Sequence, residues 1–261
     1  VVAVLAVKLL LAPSFVVGAS LVGRRFGPRV GGLVGGLPVV AGPILLVYAL
    51  AHGRSFAAGA AVGTLLGVVS LAAFVVVYGR LAPRLPWAAS MLLGWVAFAL
   101  ATVAFTAVKI PAGVALGVAG VGLVVALAWL PRPGEGLRND APPPAWDLPL
   151  RAGCALALVL ALTGVAGWLG PQLSGLLAPF PVITTVLAIF THAQRGSDEL
   201  LSLLRGLLNG FGAFALFCFV LAVSLPVLRT GPAFALASAL AVLMQATIIT
   251  LTQSGRLSRA S

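Results

Sequence analysis

Apolar runs of about twenty residues follow one another along nearly the whole chain, and each is closed by a charge or a helix breaker. A helix needs about 20 mostly apolar residues to cross the hydrocarbon layer of a bilayer. By that measure the sequence predicts nine spans, at about 1–22, 30–51, 56–79, 87–108, 112–130, 150–169, 173–193, 200–225 and 232–252. The breaks fall at Arg24 to Arg29, His52-Gly53-Arg54, Arg80 to Pro86, Lys109-Ile110-Pro111, Gly170-Pro171, Gln194 to Glu199 and Arg229 to Pro232. Composition closes the alternatives. Only 8% of 261 residues are charged and 61% are hydrophobic, too few charges to cover a water-soluble globule, a coiled coil or a disordered chain. The expectation is an all-α polytopic membrane protein.

The net charge of +11 then reads as topology. Lys and Arg collect in cytoplasmic loops, beside the anionic leaflet. With nine spans, twelve of the sixteen basic residues fall on one side, and Lys8, Arg54, Lys109 and Arg229 on the other. The N-terminus is therefore expected outside and the C-terminus in the cytoplasm. The first apolar run reads as a retained span, not a signal peptide. No basic cluster interleaved with aromatics points to nucleic acid. Cys154 and Cys218 lie in apolar runs without metal-ligand spacing and read as small buried hydrophobes. The segment from Pro131 to Leu148, with Pro142 to Pro144 and the acids Glu135, Asp140 and Asp147, reads as an extended polar loop.

Compared with itself at an offset of 143, the chain repeats. Gly27-Pro28 matches Gly170-Pro171, Pro38-Val39 matches Pro181-Val182, and Gly53 matches Gly196. Gly63, Leu65, Gly67, Ala72 and Phe74 match Gly206, Leu208, Gly210, Ala215 and Phe217, and Lys8 falls on Arg151. Glycine and proline at fixed spacing mark backbone features, not mere apolarity. The division that follows is a first four-helix repeat over 1–108, a linker helix and proline-rich loop over 109–148, and a second repeat over 149–261. Five spans separate equivalent starting points, and five is odd, so the copies are expected to cross the membrane in opposite directions. The basic turn at Arg24 to Arg29 becomes the uncharged Gly167 to Gln172 in the second copy, as inversion requires.

The stretch Ser174-Gly-Leu-Leu-Ala-Pro-Phe-Pro-Val-Ile-Thr-Thr through Gly206 to Phe219 resembles the small GlpM-like bacterial inner-membrane proteins. The first copy, around Gly31-Gly-Leu-Val-Gly-Gly-Leu-Pro38 and Gly42-Pro43, resembles related bacterial membrane proteins with the same Gly-Leu-Pro pattern. The resemblance covers spans 1–3 and 6–8 and implies a bacterial cytoplasmic membrane, with no biochemical activity to carry over. The organisation is also similar to the drug/metabolite transporter type, in which four-helix units pair or fuse. The membrane carboxylate of its small multidrug members has no counterpart in the predicted spans.

Spans 2 and 7 stand out. Gly31, Gly32, Gly35, Gly36, Pro38, Gly42 and Pro43 crowd one, and Pro179, Pro181, Thr184 and Thr185 the other. A proline inside a helix strands a carbonyl that hydrocarbon cannot satisfy. One reading is a pair of broken helices whose freed backbone groups line a site. The other is close helix packing through small residues, with ordinary kinks. Arg205, one turn into span 8, either snorkels to the headgroups or faces inward beside Asn209. Asn209 and Gln245 are expected to point into the bundle, and His52 and His192 to sit at the interface. The candidate substrate-binding set is Gly36, Pro38, Gly42, Pro43, Pro181, Thr184, Thr185, Arg205, Asn209 and Gln245. No metal, cofactor or nucleotide motif appears, and no converging acid–base set suggests an enzyme. The expected function is secondary transport or facilitated passage of a small neutral or anionic solute. The alternative is a non-transporting subunit, self-associating or packed against partner subunits in the bilayer.

Overall fold

A computed structural model of the chain describes residues 2–106, 108, 110–134, 144–161 and 180–257, with side chains outside 2–9, 106 and 251–257. All described secondary structure is helical. Helix α1 is Val2–Phe26, α2 Pro28–Gly35, α3 Ala41–Ala51, α4 Arg54–Leu81, α5 Trp87–Thr106 and α6 Ala112–Trp129. Helix α7 is described over 147–161. Helix α8 is Val182–Ser224 and α9 is Thr230–Leu257. Five of them (α4, α5, α6, α8 and α9) are long and apolar enough to cross a hydrocarbon layer.

Glycine and proline set the joints, as the sequence suggests. Gly27, Gly53 and Gly196 have φ of 95°, 90° and 82°, a region that side chains with a Cβ avoid. Gly27 and Gly53 each turn one helix directly into the next. Gly196 bends α8 into a first limb ending at Arg195 and a second limb running to Ser224. The break expected between spans 7 and 8, at Gln194 to Glu199, thus falls at Gly196, which joins the two limbs as Gly27 and Gly53 join their helices. Span 2 is broken. Its halves, α2 of 8 residues and α3 of 11, are about 12 and 16 Å long at 1.5 Å per residue. Neither crosses alone.

Helix boundaries recur at the repeat offset. Helix α4 spans 54–81 and the second limb of α8 spans 197–224, while α5 starts at 87 and α9 at 230. The matched helices α4 and α8 run antiparallel. Arg54, at the start of α4, bonds the Leu228 carbonyl just beyond the end of α8. Gly79, near the end of α4, packs on Leu201 and Leu204 at the start of the second limb. The Gly170-Pro171 match, the turn from Gly167 to Gln172, Pro179, Glu135, Asp140, Lys109 and the Lys8 side chain lie outside the described residues.

The second limb of α8 is the axis of the bundle, packed against α2, α4, α6 and α9. Its side chains and those of α4 form most of the core, from Leu65, Phe74 and Tyr78 to Leu204, Leu207 and Leu221. Helices α5, α6 and α9 bury only about a fifth of their apolar windows. Leu92, Val96, Leu100, Val121, Val124 and Val242 stand exposed on their outer faces. Such continuous apolar surface needs lipid or protein to cover it.

Candidate functional site

The break between α2 and α3 lies at Gly36 to Val40, with Gly36 buried and Leu37 to Val40 half-buried. Gly36 N donates back to the Gly32 carbonyl at 3.0 Å and Leu37 N to the Val34 carbonyl at 3.0 Å. That tightened last turn takes Leu37 away from the Leu33 carbonyl, its ordinary helical acceptor. The Leu33 carbonyl keeps a bond from Gly36 N at 3.3 Å, and Gln245 of α9, 4% exposed, adds a second by donating Nε2 to it at 2.6 Å. A buried amide of α9 therefore braces the end of α2 where the helix breaks. The Gln245 Oε1 has no hydrogen-bond partner among the described residues.

Around this point the expected site residues divide. Gly36 meets the backbone of Gly210, and Gly32 meets Leu203 and Leu207. On the other side, Gly206 abuts the Arg29 carbonyl and Gly210 the Leu33 carbonyl. Two glycine pairs at four-residue spacing, Gly32/Gly36 and Gly206/Gly210, let α2 and α8 touch backbone to backbone. Gly42 faces the Phe217 ring. Pro38 and Pro43 are half-buried, as is Asn209, while Pro181 is buried immediately before α8. Thr184 and Thr185 are buried, and Thr185 Oγ1 accepts from Trp95 Nε1 at 3.1 Å. The Trp95 contact had no sequence signal, because it joins elements 90 residues apart.

Arg205 goes elsewhere. Its guanidinium donates to the carbonyls of Leu130 at 2.8 Å, Pro131 at 3.4 Å and Leu127 at 3.5 Å. It thereby closes the C-terminal end of α6, whose last carbonyls lack intrahelical donors. His192 lies 3.4 Å from the Tyr78 hydroxyl, and His52 packs between Tyr48 and Phe56.

A second polar centre forms where α1, α7 and the first limb of α8 meet. Asp147 is fully buried. It accepts from Arg24 Nη2 at 2.6 Å, from Arg151 Nε at 2.9 and 3.0 Å, and from Gln194 Nε2 at 2.6 Å. Arg151 also reaches Ser20 at 3.5 Å and lies 5.0 Å above the Phe190 ring. Close by, Arg195 pairs with Glu199 at 3.1 Å. Burial pushes the Asp147 carboxyl up, but the Gln194, Arg24 and Arg151 donors outweigh it and hold it below the ordinary carboxylate range. Asp147 is thus no linker residue: it opens helix α7 as a buried counter-ion. The readable signal was Asp147-Leu-Pro-Leu-Arg151, an acid in a helix's first turn with a base one turn on. Beside the cluster lies a cavity of about 40 Å³ reaching Gly31, Leu187 and Thr191, room for about one water or a small ion.

Among the described residues no three His, Cys, Asp or Glu side chains come together as a metal site would need. Compared with known proteins, the chain matches no family model, no curated protein and no solved structure.

Proposed function

We propose that the protein is a secondary transporter or facilitator of a small neutral or anionic solute, working as two inverted four-helix repeats of nine spans in a bacterial cytoplasmic membrane. The observation that carries this reading is the broken α2–α3 helix, half-buried in the bundle and braced at Leu33 by Gln245 of α9. Discontinuous helices at a repeat interface are how many transporters present backbone polar groups at the midplane. The antiparallel course of α4 and α8, with matching ends at an offset of 143, supports the inversion.

The two ends of the bundle differ in charge. Asp147, Arg151 and Gln194 have Val4, Lys8 and Ala51 at the equivalent positions of the first copy. Arg24 and Asp147 come from different repeats, so their ion pair locks the repeats together at one end only. In this scheme that end is cytoplasmic, and the pair opens and closes as one repeat rocks against the other.

Proteoliposome swelling in glycerol, lactate and phosphate tests the reading. The parent protein should admit at least one solute, and Gln245→Leu and Asn209→Leu should slow it. Unchanged rates in both variants would remove the site from the α2–α3 break.

The glycine seam favours a second reading, a static assembly subunit. Backbone contact between Gly36 and Gly210 leaves little room for sliding. A disulfide engineered between α2 and the second limb of α8 separates the two, because it abolishes passage only if that seam moves.

A further inference from the structure

At the end of the bundle where α4 and α6 finish and the second limb of α8 begins, an open cleft of about 480 Å³ is lined by Arg80, Arg84, Arg132 and Arg205. Among the described residues no acidic side chain lines it, and Trp129 stands 61% exposed at its rim. Two of the arginines are engaged. Arg205 holds the α6 carbonyls as described, and Arg80 Nε donates to Trp129 O at 2.9 Å with its guanidinium 5.6 Å over the indole. These bonds offset the negative end of the α6 dipole, so the helix end does not repel an anion. Arg84 and Arg132 are exposed and have no hydrogen-bond or ion-pair partner among the described residues. Arg132 is also close enough to Arg205 for the two charges to repel.

Packing does not require these three charges. At the repeat offset Arg80, Arg84 and Arg205 correspond to Val223, Val227 and Val62, and the one cation bonded across α4 and α8 there, Arg54, holds the Leu228 carbonyl instead. A preference for arginine at the cytoplasmic end explains the sign of the charges. It does not explain their convergence on one hollow, where mutual repulsion has a cost. Guanidinium forks match the paired oxygens of a phosphate. Leu127, Ala128 and Trp129 add an apolar wall beside them.

We propose that this cleft binds a phosphate group, carried either by an anionic lipid headgroup or by a free phosphate in the aqueous phase. It is a site separate from the α2–α3 break and does not depend on transport.

The test uses the purified full chain in detergent. Native mass spectrometry follows retention of phosphatidylglycerol against phosphatidylcholine, and calorimetry follows inorganic phosphate. The key variant is Arg84→Gln with Arg132→Gln, which spares the arginines that hold α6. A control, Arg25→Gln with Arg229→Gln, removes equal charge from elsewhere on the surface. Loss of phosphatidylglycerol retention by about tenfold in the cleft variant alone supports the site with a lipid headgroup as its ligand. Loss of inorganic phosphate binding in the cleft variant alone supports it with a free anion. The proposal is overturned if the parent binds neither, if the cleft variant binds as the parent does, or if the control loses as much.

Discussion

Arg24 and Asp147 stand 123 residues apart in the chain, yet their guanidinium and carboxylate meet at 2.6 Å. The same carboxylate also holds Arg151, whose side chain is 8% exposed. Removing one partner of a buried pair leaves an uncompensated charge, at a cost of about 3–5 kcal/mol. Asp147→Leu should therefore lower the thermal midpoint in detergent sharply. Arg24→Gln should cost less, because Arg24 is partly exposed and Arg151 still neutralises the carboxylate. Asp147→Leu combined with Arg151→Met should recover much of the loss, and a double variant no better than the single would refute the pairing.

The depressed Asp147 carboxyl also fixes the sign of a pH effect. Its folded-state pKa lies below the ordinary 3.8, so the folded state binds that proton less readily than the unfolded chain. The stability it contributes is present above the unfolded value and is lost as pH falls through the folded one. Unfolding midpoints measured from pH 7 down to pH 3 should hold steady and then fall below about pH 4. In Asp147→Asn the fall should be shallower over the same interval.

The glycine seam makes a sharp contrast between positions. An added Cβ at Gly206 or Gly32 would run into the backbone of the facing helix, at Arg29 and Leu203 respectively. Overpacking of that kind costs about 1–3 kcal/mol, so Gly206→Ala and Gly32→Ala should each lower the unfolding midpoint. Gly59 and Gly113 have open space where a Cβ would go. Alanine there should be neutral or stabilising by up to about 1 kcal/mol, since glycine is the poorer helix former. Equal effects at all four positions would mean that α2 and α8 are not in backbone contact.

Much of the helix framework is legible in the sequence because its punctuation is local. Gly27, Gly53 and Gly196 mark turns in any context, and long apolar runs mark the five helices able to cross a hydrocarbon layer. The polar contacts are not local. A carbonyl such as Leu33 O or Leu130 O leaves no trace in residue identity, so the bonds from Gln245 and Arg205 could not be paired with their acceptors. Asp147 was obscured by its neighbours, since three prolines just upstream made the segment look extended. Only its spacing to Arg151 betrayed a helix start.

Equivalent joints should fail alike and face opposite ways. Gly53 and Gly196 share positive φ with extended ψ at matched positions, so alanine at either should cost a similar amount, about 1–3 kcal/mol for a residue held in that glycine region. Ser55 and Asp198 follow these turns at the repeat offset, and both are exposed. In a chain with Cys154→Ala and Cys218→Ala, single cysteines at 55 and 198 can be probed with a membrane-impermeant maleimide on intact cells and on inverted vesicles. Asp198 lies beside Gly134 and Arg54 beside Leu228, and under the proposed inversion the bias of basic residues puts the position after Gly53 outside and the one after Gly196 inside. The residue-55 cysteine should therefore label in cells and the residue-198 cysteine in vesicles. Labelling of both in the same preparation would make the repeats parallel, and an alternating rock of one against its upside-down copy would lose its basis.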